Sequence, residues 1–367
     1  MLDPKIIRQN PTEVQQKLKA RNFTFDCTAF EEMDQKRLAL LSEAEELKAQ
    51  RNGLTKQIGR AKKNSPSDAQ RLMEEVRMLG NQIEALDQTL LQLDSEYEAL
   101  LCSLPNLPHP SVPIGADEHG NVLARSWGTP RSFEWEPKTA ADIGKDLRLL
   151  ERGSTEKAEE AAIPVYWGLG AHLKRALTNF LMDYCAENGY TEMLTPYSAY
   201  HHYRHQILEG SSFPVRNCEC CSFYADASFQ LTAITARDRS NDDLELITST
   251  LEKVLQFLRL PYRIVTLCSG QLDFNAAKTY RIDVWMPSLN RYSEIATCTN
   301  YETYLSRREE IRYREKMGDK PHYACLLLAS LSIDHTLAAL LETEQHDDGS
   351  VAVPDALIPY TNCTIIR

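Results

Sequence analysis

Five basic residues and no acid occupy positions 51 to 63: Arg51, Lys56, Arg60, Lys62 and Lys63. Such a cluster can hold a phosphate backbone electrostatically, although a solvated helix surface is the plainer alternative for a charge run. The whole chain carries a formal net charge of −11, which excludes general adhesion to nucleic acid, so any RNA contact must be local. A second group of reactive residues is His201-His202-Tyr-Arg-His205 followed by Cys218-Glu-Cys220-Cys221. These are soft metal ligands close in sequence, but tetrahedral zinc needs four of them to converge. Cys-x-Cys-Cys is not a common zinc-knuckle spacing, and cysteines also serve as small buried apolar residues, so no metal is assigned. With ten cysteines scattered over 367 residues, reduced thiols are expected rather than a disulfide framework. No glycine-rich phosphate loop is present.

The elements that must position these groups begin with an unbroken heptad. Apolar residues fall at Leu72, Val76, Leu79, Ile83, Leu86, Leu90, Leu93, Tyr97 and Leu100, alternating steps of four and three, which predicts a coiled-coil helix. A weaker seam precedes it: Met33, Arg37, Leu40, Ala44, Leu47, Arg51, Leu54 and Ile58. Pro66 stops a helix, and Ser67 or Asp68 can cap the next, so the two helices should fold back antiparallel. Thirty residues would give an arm roughly 45 Å long with the basic cluster near its tip. Leu104-Pro-Asn-Leu-Pro-His-Pro-Ser-Val-Pro113 reads as a linker. Two domains are therefore expected, a coiled coil over 1–103 and a core over 104–367. In the core, helices are predicted at 168–188, 241–259 and 332–344, and strands at 190–194, 262–268, 281–286 and 292–298. They interleave without a βαβ rhythm, which points to an α+β core around a largely antiparallel sheet. The apolar runs are too short to cross a bilayer, no targeting segment is apparent, and a cytoplasmic location is expected.

Several stretches resemble bacterial-type seryl-tRNA synthetases, in the right order along nearly the whole chain. They are the opening Met1-Leu-Asp-Pro-Lys-Ile-Ile-Arg-Gln-Asn-Pro11, Ala49-Gln-Arg-Asn-Gly-Leu-Thr-Lys-Gln-Ile-Gly59, Ala276-Ala-Lys-Thr-Tyr-Arg-Ile-Asp-Val-Trp-Met-Pro287, Arg291-Tyr-Ser-Glu-Ile-Ala-Thr-Cys-Thr-Asn300 and the ending from Asp348. The resemblance implies a class II aminoacyl-tRNA synthetase core. It also implies a coiled-coil arm that reaches the long variable arm of serine tRNA, and a homodimer or a heterodimer with a related synthetase. Gly189-Tyr-Thr-Glu-Met-Leu-Thr-Pro196 looks like the first class II motif, which builds the dimer interface.

Adenylate formation gathers negative charge in its transition state, so it requires fixed cations and metal aimed at the phosphates. Here the sequence departs from the family. The family's Thr-Ala-Glu loop is matched to Thr232-Ala233-Ile234, so a substrate-facing carboxylate becomes apolar Ile234. From Thr235 the chain runs directly into the next helix, and the motif-2 hairpin with its α-phosphate arginine is expected to be missing. Arg237 or Arg239 could substitute, though a solvated turn suits them better. In motif 3, aligned with Leu327-Leu-Ala-Ser-Leu-Ser-Ile-Asp-His-Thr-Leu337, Leu327 replaces an asparagine and His335 replaces the arginine. Thr232, Lys278, Glu294 and Thr297 match the family site. The expectation is a homologue that binds serine tRNA, another structured RNA or a partner synthetase without activating serine. No cofactor is then expected; ATP and magnesium enter only if activity persists. A weakened ligase and a coiled-coil regulatory module without RNA are the competing readings.

Overall fold

The computed structural model describes residues 1–64, 66–152, 164–210, 213–223 and 226–367. The chain divides into two compact units, Met1–Lys19 with Phe23–Pro105, and Ala20–Asn22 with Asn106–Arg367.

The first unit is entirely helical: α1 (Pro4–Gln9), α2 (Pro11–Lys19), α3 (Cys27–Asn64) and α4 (Pro66–Ser103). Pro66 starts α4, where a missing N–H does no harm. None of the nine seam positions of α4 is exposed, and Ile83, Leu90, Leu93 and Tyr97 are fully buried. The eight positions of the α3 seam are also covered, Ala44 most completely. Each long helix has 38 residues, so the arm is about 57 Å long, longer than the sequence suggested. Its base is pinned by a buried carboxylate. Arg8 donates to Asp34 at 2.6 and 2.8 Å, and the Tyr97 hydroxyl donates to the same group at 2.6 Å. Burial alone would raise the Asp34 carboxyl, but these hydrogen bonds and the nearby Arg37 outweigh it and hold it below its ordinary value.

The second unit is built on an eight-stranded sheet. Its strands are β1 (Val122–Trp127), β2 (Thr191–Glu192), β3 (Val215–Phe223), β4 (Asp226–Thr235), β5 (Tyr262–Thr266), β6 (Lys278–Met286), β7 (Arg291–Asn300) and β8 (Cys325–Ser332). They lie in the order β1-β5-β6-β7-β8-β4-β3-β2, antiparallel except for the β2–β3 pair. One face is apolar. Phe229, Leu231 and Ala233 of β4, Leu327, Ala329 and Leu331 of β8, and Tyr280, Ile282 and Val284 of β6 point the same way by the two-residue period of a strand. They pack in one cluster with Leu173, Leu177 and Leu181 of α5 (Gly168–Glu187), Leu244, Ile247 and Leu251 of α6 (Ser240–Phe257), and Leu337 and Leu340 of α7 (Ile333–Thr343). The class II type of mixed α and β architecture expected from the sequence is present.

One expectation fails here. Thr232, Ala233 and Ile234 are not a loop but the interior of β4, paired with Asn217, Arg216 and Val215 of β3 and with Leu328, Leu327 and Leu326 of β8. The hairpin β3–β4 ends at Thr235, and from there the chain runs through a 3-10 turn into α6 at Ser240. The sequence of β3, Val-Arg-Asn-Cys-Glu-Cys-Cys-Ser-Phe, hides a strand because neither face is uniform: Arg216 shares a side with Cys218 and Cys220, and Asn217 and Glu219 share theirs with Val215 and Cys221.

Candidate functional site at the junction of β7, β8 and α7

The sheet face opposite the helices carries hydroxyls. Strand alternation places Ser228 of β4, Thr297 of β7 and Ser330 of β8 on it, with Thr297 directly across from Ser330 and Ser332 across from Ser228. A register shift between Glu294 and Ala296 inserts an extra residue in β7 beside Glu294. Where β8 turns into α7, Ser332 caps the helix, its hydroxyl accepting from the His335 backbone N–H at 3.2 Å. These residues line an open cavity of about 310 Å³: Ser228, Glu294, Ile295, Ala296, Thr297, Ser330, Ser332 and His335.

Glu294, Thr297 and His335, widely separated in sequence, thus meet at one site. The Glu294 side chain is about half-buried; burial raises its carboxyl, an effect partly offset by Arg281. The Arg281 guanidinium does not serve the cavity freely, because it donates to Asp283 at 2.8 and 3.2 Å and sits 4.0 Å from Glu294. Asp283 is buried between Arg281 and Arg263. Among the described residues, no lysine or arginine lines the cavity.

The other sequence-derived site residues lie elsewhere. Lys278 points to the helix-covered face of the sheet, its ammonium 4.7 Å from the Tyr280 ring; burial lowers its pKa, with Glu245 nearby opposing the shift. Leu327 is fully buried among the core residues, so this position faces the core rather than the cavity. Ile234 and Thr232 share the hydroxyl-bearing side of β4 but are buried outside the cavity lining. The Thr232 hydroxyl has no hydrogen-bond partner among the described residues. Arg237 and Arg239 are exposed in a 3-10 turn and line no part of the cavity.

The histidine and cysteine segments pack together, Asn217 donating to the Tyr203 hydroxyl at 2.8 Å and the Ala199 N–H to Glu219 at 2.7 Å, but without gathering metal-type ligands. His201 and His202 lie in a 3-10 turn, Ala199–Tyr203. Within β3, Cys218 packs with the helix-side core, and Cys221, three residues on, points to the opposite side. Among the described residues, no group of three His, Cys, Asp or Glu is placed to hold a metal.

On the arm, Lys56 and Arg60 are exposed. Arg51 is not in acid-free surroundings: it shares a groove with Glu84 and Asp87 of α4, and Lys48 pairs with Asp87 at 2.8 Å. The stretch is acid-free only along its own helix, which a one-dimensional reading cannot distinguish from the facing one. The side chains of Lys62 and Lys63 lie outside the described set.

Comparison with known proteins places both units. Residues 1–108 match the family described as Seryl-tRNA synthetase N-terminal domain, and residues 229–344 the tRNA synthetase class II core domain (G, H, P, S and T). The serine–tRNA ligase of Desulfitobacterium hafniense (strain DSM 10664 / DCB-2) is 37% identical over 415 positions, covering 98% of each chain. That of Heliobacterium modesticaldum is 37% identical with full coverage of both. Among solved structures, the seryl-tRNA synthetase of Pyrococcus horikoshii complexed with ATP superimposes with a TM-score of 0.88 at 25% identity, covering 100% of this chain and 99% of that one. The cytoplasmic serine–tRNA ligase of Naegleria fowleri shares the fold, with a TM-score of 0.83 at 19% identity. The Desulfitobacterium alignment has 415 positions against the 367 residues of this chain, so at least 48 positions are filled only in the relative. No helix among the described residues is long and apolar enough to cross a membrane.

Proposed function

Because the chain belongs to the seryl-tRNA synthetase family, with a helical arm and a class II core, we propose that it acts by binding RNA through the arm and does not activate serine. One observation carries this reading: among the described residues, the cavity that joins Glu294, Thr297 and His335 has no lysine or arginine in its lining. A triphosphate brings several negative charges, and catalysis at phosphorus depends on preorganised positive groups. Removing one such donor typically lowers a rate by about 10²–10³.

The hairpin β3–β4 supports the same reading. It stands where the family's motif-2 hairpin would stand, yet positions 217–236 contain no lysine or arginine. Arg216, just before them, is ion-paired with buried Asp243 at 2.9 Å. We infer that the strands of the hairpin are kept as a frame and that some of the missing positions carried its charged residues. Magnesium and ATP, which the family would imply, do not fit this donor set. Magnesium is commonly shared between one or two carboxylates and the phosphates; among the described residues Glu294 is the one carboxylate in the lining, and the nearby Arg281 is engaged by Asp283, so the lining offers no lysine or arginine to hold the phosphates.

The arm keeps what binding needs: a covered seam that holds the helices together and exposed Lys56 and Arg60 toward the end of α3. Serine tRNA is the RNA class the family suggests. In the stretch that resembles the first class II motif, Leu194 is 95% exposed, and we infer that this face meets a second copy of the chain. A retained weak ligase, using ATP and magnesium, is favoured by one observation, the 37% identity to serine–tRNA ligases over the full length. Serine-dependent ATP–pyrophosphate exchange separates the two: none is expected, and clear exchange would establish the ligase instead. Gel shifts with serine tRNA at rising salt test the arm, whose grip should weaken linearly in log–log form.

A further inference from the structure

The cavity formed by β4, β7, β8 and the start of α7 is poor in charge and rich in hydroxyls, and that balance selects a class of ligand. Thr297 lies directly across from Ser330, and Ser228 across from Ser332. Among the described residues, no hydrogen bond engages the hydroxyl of Thr297 or Ser330. A hydroxyl both donates and accepts, so these two can meet a ligand hydroxyl or an ammonium. The extra residue in β7 sets Glu294 at the same cavity. Its carboxylate makes no hydrogen bond among the described residues either. The charged and titratable groups that act on it are Arg281, Asp283, Asp273 and His335. Arg281 is 4.0 Å away and donates instead to Asp283, at 2.8 and 3.2 Å. The two aspartates add like charge. This half-buried carboxylate therefore lacks the hydrogen-bonded cation that a ligand can supply. A ligand anion would meet repulsion, with no lysine or arginine in the described lining to hold it. At about 310 Å³ the cavity is of small-molecule size.

We propose that this cavity binds a small polyhydroxylated amine, its ammonium paired with Glu294 and its hydroxyls with Thr297 and Ser330. The inference rests on the non-activating reading of the site given above and adds a ligand class to it. Amino alcohols and amino sugars belong to that class. A free amino acid does not, because its carboxylate would find no cation in the described lining.

The test uses the full chain and three probes that share one hexitol skeleton: glucamine as the cation, sorbitol as the neutral form and gluconate as the anion. Ligand-observed NMR titrations at neutral pH and low salt should give glucamine at least about tenfold tighter binding than sorbitol, with gluconate weakest. Glu294→Gln keeps the shape of the side chain and should bring glucamine to the sorbitol level. Thr297→Val should weaken glucamine and sorbitol alike by roughly threefold and leave their ratio unchanged. Should Glu294→Gln not fold by circular dichroism, salt provides a second route on the unaltered chain: glucamine binding should weaken as salt rises and sorbitol binding should not. The proposal would be overturned by equal binding of glucamine and sorbitol, by the absence of saturable glucamine binding, or by an advantage of glucamine that survives Glu294→Gln or is indifferent to salt. Serine binding as tightly as glucamine would overturn it too. The three hexitol probes contain neither phosphate nor an amino acid, so their failure leaves the non-activating reading standing. Serine-dependent exchange by the unaltered chain would remove that reading by a separate measurement.

Discussion

The arm and the catalytic-type core have kept different things. In the arm, the apolar seams and exposed basic residues coexist on one pair of helices, so both scaffold and candidate ligand-binding groups are intact. In the core, the sheet and its helix-covered face are intact, while on the opposite face the described lining of the cavity offers hydroxyls, one carboxylate and an imidazole, with Arg281 beside it engaged by Asp283. The difference shows that the two faces of a sheet answer to separate constraints. Apolar packing on one face maintains the fold while charge on the other can be exchanged at little cost to stability.

The sharpest way to break this contrast is on the arm. Lys56→Glu with Arg60→Glu should lower affinity for serine tRNA by about a hundredfold at moderate salt and flatten the salt dependence, with helical content unchanged. Gel shifts and circular dichroism read the two parts. Undiminished binding would make the arm a protein-interaction element instead.

Next in size is a buried ion network at the arm's base. Asp34→Ala leaves Arg8 and the Tyr97 hydroxyl unpartnered and should lower stability by about 3–5 kcal/mol at neutral pH in denaturant titrations. The sign with pH follows from the depressed carboxyl. Its stabilisation is complete above the ordinary carboxylate range and is lost as pH falls through the lower folded value, so the mutant and unaltered chains should converge in acid.

In the core, Leu327→Asn introduces the asparagine that the sequence reading expected of the family, and places an amide among fully buried apolar neighbours. A loss of about 2–4 kcal/mol is expected, with no serine-dependent exchange gained. The smallest effect belongs to Glu294→Gln. The half-buried carboxyl of Glu294 is raised, so its charged form opposes folding above the folded pKa and does not do so below the unfolded one. The substitution should raise Tm by no more than about 1–2 °C near neutral pH, a gain that disappears in acid.

How much of this was legible in the sequence follows from range. The α4 seam was readable because each contact recurs within the same helix, and every one of its nine positions is covered. The helices at 168–188, 241–259 and 332–344 were found for the same reason. Strands β3 and β4 were missed because their partners are set by the sheet, and Thr232–Ile234 consequently looked like a loop. The cavity was half legible. Glu294, Thr297 and His335 were singled out, but Lys278 and Leu327 were grouped with them although strand alternation sends both to the other face. Ser228, Ser330 and Ser332 gave no signal as isolated hydroxyls.

The most direct measurement is ATP–pyrophosphate exchange across the standard amino acids, run beside an authentic serine–tRNA ligase. With no lysine or arginine among the described residues lining the cavity, exchange with serine should not rise above the enzyme-free blank while the control exchanges freely. Clear serine-dependent exchange by this chain would contradict the non-activating reading and restore it to the ligases it resembles.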